Sequence, residues 1–390
     1  MGRLFCRRNL TVIYLVCVAA GVSAFSATDN LYWEFSGFSL WEISLMSAFF
    51  NAGVSLAELP FAIAFDNYSN KLSLQLGSLL RLVAFAIFFL DGNIYWILVG
   101  QALAGVGFAA SSGASEALML NDIPQGGEGE NKAMLLGYSR ITFITSVSAL
   151  VVGIIGIFSF ALMPSSIWLL AISFFACSVV SLAFLENKKV CETKIPLKEF
   201  IFGLRRIFKV KSVYLTLLAN SAAVAPFILW QIKIGSQSLG YLYAGFIAMK
   251  FFAALAAQFL KNITVSPVRL YAICLYNVIC IYLFAQTDNV ILSVIFFGLH
   301  IFGQVLLTII CYGKLHSEID NSIRASATSI VSLMDSLVVV AVAPLAGYLA
   351  THYSTGTSML LSVAFYVLFS LCVVFLRQEF TGDGKEPIRS

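Results

Sequence analysis

The sequence predicts an all-α polytopic membrane protein of twelve spans, arranged as two six-helix halves with both termini in the cytoplasm. Three observations lead there: the composition, the number of apolar runs, and the placement of the basic residues. The chain has 390 residues, of which 59% are hydrophobic and only 11% charged, and its mean hydropathy is +0.90. A soluble domain carries roughly 25% charged residues. So little charge cannot cover a water-facing surface, so most of the surface must face lipid. Phe is abundant and Pro scarce, 34 against 8, which suits long lipid-facing helices.

Apolar runs bounded by polar clusters fall at 9–28, 39–64, 72–90, 94–120, 134–159 and 166–185, and again at 212–232, 239–260, 267–286, 290–312, 325–349 and 357–377. A membrane core of ~30 Å takes about 20 helical residues. Unpaired backbone is not tolerated in hydrocarbon, so runs of this length must be helices. Arg7 and Arg8 before the first run, and the Val-Ser-Ala-Phe-Ser-Ala that follows it, imitate a cleaved signal peptide. The near-full membrane length of that run favours a retained first helix.

Cytoplasmic loops collect Lys and Arg. With twelve alternating spans, Arg3, Arg7, Arg8, Lys71, Lys132, Arg140, Lys261, Arg269, Lys314, Arg324, Arg377, Lys385 and Arg389 all fall on one side, with the basic stretch after the sixth span. The other side holds Lys233 and the acids Asp29, Glu34, Asp91 and Asp288. An odd number of spans would scramble this segregation. The net charge of +4 is accounted for by the same asymmetry, so no nucleic-acid partner is implied. The expected location is the inner (plasma) membrane.

The halves are expected at 1–185 and 212–377, joined by a linker over 186–211 and followed by a tail at 378–390. In the linker Phe200, Ile201, Leu204, Ile207 and Phe208 recur at helical spacing among basic residues. That pattern reads as an amphipathic helix on the inner membrane surface. Six spans plus six is the organisation of carriers built from two related halves.

Between the second and third spans the residues become more specific. Glu58, Pro60, Ala64, Asp66 and Lys71 match a loop signature of the form E-x-P-T-G-x-x-A-D-R-F-G-R-K, from which Ala62, Asn67, Ser69 and Asn70 depart. Gly105-Val106-Gly107 and Ser112-Gly113-Ala114-Ser115-Glu116-Ala117-Leu118 resemble a G-x-G and an S-G-A-x-E-A-L element, and Arg324-Ala325-Ser326-Ala327-Thr328-Ser329 resembles R-A-T-A-x-S. By these residues the chain resembles the major facilitator superfamily, in particular its multidrug and metabolite efflux-like subgroup. The resemblance spans nearly the whole chain. It implies a twelve-helix, pseudo-symmetric fold working by alternating access, a small-molecule substrate, and a monomer in the bilayer. A proline-containing element that many drug/proton antiporters carry on the fifth span is reduced here to Gly153-x-x-Gly156.

The resemblance places Asp66 near the start of the eleventh span, around Arg324. Asp66, Lys71, Glu116, Arg140 and Arg324 are therefore expected to form a cytoplasmic gate, with Lys71 facing Glu116. Glu58 lies inside the second span, where acids mark ion or proton paths. Asp335 stands some ten residues into the eleventh span, about 15 Å along a helix, and Lys250 lies at similar depth in the eighth. These two are expected to be a titrating carboxylate or cation contact and its partner, or merely a neutralising pair. Gln101, Asn51, Asn220 and Gln304, with Gln231 and His300, are candidate cavity groups, though singly such a residue is more often a helix-packing hydrogen bond than a ligand. Gln101 stands where the family often has Arg. Arg81 is expected to be structural. Tyr14, Trp33, Trp41, Trp96, Trp168 and Trp230 read as an interfacial aromatic belt.

The eight Cys are scattered without a C-x-x-C pair, and neither a zinc-peptidase motif nor a phosphate loop occurs. No enzyme activity, metal or cofactor is implied, and without nucleotide-binding motifs the energy source is expected to be an ion gradient, most simply protons. The function expected is proton-coupled export of a small amphipathic drug or metabolite. Uptake of a small, perhaps anionic, metabolite is the alternative, and a transporter-like sensor or scaffold the third.

Overall fold

A computed structural model of the chain describes residues 7–65, 70–90, 92–121, 130–185, 210–235, 238–259, 266–319 and 324–375. The described residues form fourteen helices: α1 (Arg7–Ser23), α2 (Asp29–Phe35), α3 (Leu40–Phe65), α4 (Asn70–Phe89), α5 (Ile94–Asn121), α6 (Glu130–Leu162), α7 (Ser166–Ala183), α8 (Lys211–Gly235), α9 (Gly240–Phe259), α10 (Pro267–Gln286), α11 (Val290–Glu318), α12 (Arg324–His352), α13 (Thr355–Met359) and α14 (Leu361–Phe375). Ten stretches are long and apolar enough to cross a membrane, the last running through α13 and α14. Asn9–Ser23 and Gly240–Ala256, in the expected first and eighth spans, are apolar but shorter. The expected linker at 186–209 and the tail lie outside the described residues.

Local sequence explains many of the helix ends. Ser266 caps α10 by accepting from the Arg269 amide, with Pro267 at the first helical position, where its missing N–H costs nothing. Asn289 caps α11 by accepting from the amides of Ile291 and Leu292. Ser354 caps α13, and Leu360 separates that single turn from α14. α1 stops at Ser23, short of the expected 28, because the chain turns at Phe25, whose carbonyl accepts from Thr28.

The chain divides into two compact units, one of residues 1–32 with 49–196, the other of residues 33–48 with 197–390. In the first, α4 packs against α5 and α7, and α1 against α6 and α7. Gly105 and Gly107 on α5 are 200° apart on a helix of 100° per residue, so they open two opposite faces. A Cβ at Gly105 would lie 2.0 Å from the Phe50 carbonyl oxygen on α3, and one at Gly107 would lie 2.7 Å from the Gly77 carbonyl oxygen on α4. The G-x-G element thus lets α5 touch two neighbours backbone to backbone.

The core of the first unit is aromatic. Trp168 stands among Phe25, Phe85 and Phe88, with centroid separations of 5.3, 6.1 and 5.0 Å. Trp33, Trp168, Trp230 and Tyr14 are each no more than 2% exposed, so they are core residues and not the belt expected of them. Trp41 and Trp96, at 43% and 60%, do face outward. A position near a span's end fixes depth along the membrane normal but not which way the ring turns.

In the second unit α8 packs against α11, α12 and α14, and α10 against α11 and α14. Its core joins Leu215, Ala219 and Ala222 of α8 to Leu270 and Cys274 of α10, Leu307 of α11 and Tyr366 of α14. Trp230 stacks on Phe297 at 5.1 Å, and Phe284 closes on the same ring at 5.5 Å. The start of α3 belongs here: the Trp41 amide donates to Thr351 Oγ1 of α12 at 2.9 Å.

Candidate functional site

Three helices of the second unit converge on Asp335. Its Oδ2 accepts from Asn220 Nδ2 of α8 at 2.7 Å and from the Tyr312 hydroxyl of α11 at 2.8 Å. Its Oδ1 is buried with no hydrogen-bond partner among the described residues. Lys250 does not neutralise it: the Lys250 ammonium sits 5.3 Å from the Phe246 ring, and the two charges form no ion pair. Neither has a counter-ion among the described residues.

Beside this carboxylate lies a cleft of about 350 Å³, lined by Asn220, Ala223 and Phe227 of α8 and by Gln304, Val305, Thr308 and Ile309 of α11. Asn220 belongs to both, so the amide that holds Asp335 also forms part of the cleft wall. Most of the lining is apolar, with a few convergent polar groups, as in small-molecule sites generally. Gln304 is buried and its amide is spoken for. Nε2 donates to the Ala219 carbonyl at 2.7 Å and to Thr308 Oγ1 at 3.4 Å, and Oε1 accepts from the Tyr366 hydroxyl at 2.5 Å. Of the sequence candidates, the fold thus brings together Asp335, Asn220 and Gln304.

Glu58, Asn51, Gln101, Arg140 and Lys71 belong to the first unit. Glu58 and Asn51 are partly buried on α3, and Gln101 is partly buried on α5. Arg140 is exposed on α6. Asp66 and the side chains of Glu116 and Arg324 lie outside the described residues, so the Asp66–Arg324 and Lys71–Glu116 contacts expected from the sequence do as well. Lys71, at the start of α4, donates to the carbonyl oxygens of Leu185 at 2.5 Å and Ala183 at 3.3 Å. A cation there meets the negative end of α7 and its unpaired carbonyls.

Arg81 is buried on α4, as a structural residue should be. It donates to the Gly107 carbonyl at 3.3 Å and to Ser111 Oγ at 2.5 Å, and it lies 5.5 and 5.4 Å from the Phe108 and Phe175 ring centroids.

Two groups of this cluster escaped the sequence. Tyr312, the second donor to Asp335, and Tyr366, which orients Gln304, read as ordinary membrane aromatics. A signal was there for Tyr312: Gln304, Thr308 and Tyr312 recur every fourth residue on one face of α11.

The chain is thus a multi-pass membrane protein with the fold of major-facilitator-type transporters. It superposes on a POT family transporter solved with 5-aminolevulinic acid at a TM-score of 0.74 and 12% identity, over 96% of this chain and 97% of that one. The nucleoside transporter NupG gives 0.70 at 11% identity, over 97% and 99%. A bacterial homolog of the human lysosomal transporter Spinster gives 0.68 at 12%, over 97% of each chain. Compared by sequence, the chain matches no protein-family model and no curated protein.

Proposed function

We propose that this protein is a secondary active transporter that exports a small amphipathic compound, a drug or metabolite, in exchange for protons by alternating access. The observation that carries this is Asp335: a carboxylate deep in a membrane helix, held on one oxygen by two neutral donors, beside a mainly apolar cleft. A buried acid without a cation is expensive in a membrane and is kept for ion, proton or substrate handling. Two structural neighbours, a transporter holding 5-aminolevulinic acid and a nucleoside transporter, support a small-molecule cargo. The loop signature around Glu58, Asp66 and Lys71 favours the efflux-like subgroup. In this proposal Asp66, Lys71, Glu116, Arg140 and Arg324 form the cytoplasmic gate.

Proton flux in inverted vesicles or proteoliposomes, challenged with cationic, neutral and anionic compounds, tests it. Proton release on adding a compound, abolished by Asp335→Asn, is the expected result. Flux unchanged in Asp335→Asn would remove Asp335 from coupling. Lys250 favours a second reading, uptake of an anionic metabolite, because it is exposed and has no acid partner among the described residues. Lys250→Met would then abolish uptake of an anion and leave cation flux intact.

A further inference from the structure

One turn along α11 from Gln304, the second unit holds a group of polar side chains that the described residues do not satisfy. His300 on α11 is fully buried, and neither ring nitrogen has a hydrogen-bond partner among the described residues. Asn277 on α10 is fully buried, and neither its amide nitrogen nor its oxygen has one among them. Ser362, one turn before Tyr366 on α14, is 1% exposed, and its hydroxyl has none there either.

These residues are neighbours. The Tyr366 ring stands edge-on to His300 with centroids 6.2 Å apart. Gly303, one turn along α11 from His300, leaves room for Asn277: a Cβ there would lie 2.7 Å from Asn277 Oδ1. Tyr366 in turn donates to Gln304, which lines the cleft.

A neutral imidazole has one donor and one acceptor, and a carboxamide has two of each. Leaving so many unmet inside a helical bundle would cost more than apolar residues of the same shape, so these groups imply a ligand that both donates and accepts. Water is the ligand of that chemistry, and buried water commonly bridges such groups. Toward the start of α11, Phe297 stacks on Trp230 and meets Phe284 at a tilt. Toward the cleft the cluster is bounded by hydrogen-bonding groups.

We propose that α10, α11 and α14 enclose a hydrated, proton-holding site centred on His300 and reached from the cleft past the Tyr366–Gln304 pair. The site takes a proton from water in the cleft onto the free imidazole nitrogen and returns it by the same route. Nothing else is consumed, and the imidazole ends neutral. The other titratable groups packed around it are Tyr366 of α14 and Tyr276, Cys274 and Cys280 of α10, and no carboxylate lies within ion-pair distance among the described residues. The role of this proton in the transport cycle rests on the proton-coupled export proposed above; the hydration and the proton uptake do not.

The chain has only three His, so ring-nitrogen NMR of His-labelled protein in nanodiscs resolves each, with His300→Gln assigning its signal. The expected result is a His300 signal that moves between neutral and cationic forms as pH falls. In Asn277→Leu/Ser362→Ala, which replaces two of the unsatisfied polar groups with apolar ones, the signal should stay fixed. X-ray radiolytic labelling gives an independent readout: Tyr366 should be oxidised at least tenfold faster than the equally buried Trp230. A His300 signal locked in one neutral tautomer, with Tyr366 labelled no faster than Trp230, would overturn the proposal. The two ideas also separate cleanly. Coupled flux lost in Asp335→Asn alongside a silent His300 sinks this site and keeps the export mechanism. A titrating His300 alongside unchanged flux in Asp335→Asn does the reverse.

Discussion

Replacing Gly105 by Ala should destabilise the protein more than any other single methyl added on α5. Its Cβ would stand 2.0 Å from the Phe50 carbonyl oxygen, 2.9 Å from the Phe50 carbonyl carbon and 3.0 Å from the Val54 amide nitrogen. All three are backbone atoms in the middle of α3, so no side chain can swing away. Restoring an ordinary contact of about 3.4 Å requires α3 and α5 to separate locally by about 1.4 Å. That would also prise apart the neighbouring contact, in which Gly53 faces the Ala102 carbonyl. Overpacking of a well-packed interior costs typically ~1–3 kcal/mol, and occasionally more; a clash between two backbones belongs at the upper end. At roughly 2–4 °C per kcal/mol for domains of this size, thermal unfolding in detergent should start about 6–12 °C lower. Gly107→Ala, whose nearest backbone atom is 2.7 Å away, should lose about half as much. Gly313→Ala is the control. Nothing lies within 4 Å of its Cβ, so it should gain roughly 0.4–1 kcal/mol through the unfolded chain alone. Equal midpoints for Gly105→Ala and wild type would refute the reasoning that the G-x-G element exists for backbone contact.

Three further expectations come from the same contacts. Arg81→Lys should unfold at a lower temperature than Arg81→Met, because Lys keeps a buried charge and loses the fork that meets Gly107 and Ser111, whereas Met removes the charge; differential scanning fluorimetry of both decides it. Lys71→Met leaves the Ala183 and Leu185 carbonyls without their cation and should cost about 1–3 kcal/mol in chemical unfolding, with Lys71→Arg recovering most of it. Burial raises the Glu34 carboxyl above its ordinary range, so the folded state keeps a proton that the unfolded state gives up. Its contribution to stability is therefore full below the ordinary carboxyl value and lost as pH rises through the raised one. Glu34→Gln should flatten that part of a stability–pH curve, and an unchanged slope would clear Glu34 of it.

Much of the architecture could be read from apolar runs because hydrocarbon allows so few alternatives. What the runs could not show is where a helix breaks without leaving the membrane. The sequence 355–359 looks like part of a last continuous span, yet Ser354 caps it as a separate turn ending at Leu360. Asp29–Phe35 is too mixed in polarity to stand out, yet it forms a short helix of its own. At the site, Asp335, Asn220 and Gln304 were conspicuous because polar groups are rare in such segments. The pairing of Asp335 with Asn220, and not with Lys250, was invisible, since depth along a helix says nothing of azimuth between helices. Tyr312 was hidden by its own chemistry: a membrane tyrosine is by default an interfacial anchor, and only its register with Gln304 and Thr308 set it apart.

Lys71 gives one consequence of a different kind. The turn that ends α7 is held by an ammonium at the head of α4, through the carbonyls of Ala183 and Leu185. The residue that closes the Glu58–Lys71 signature therefore moors the end of another helix of the same unit. A shift at the head of α4 pulls directly on the end of α7.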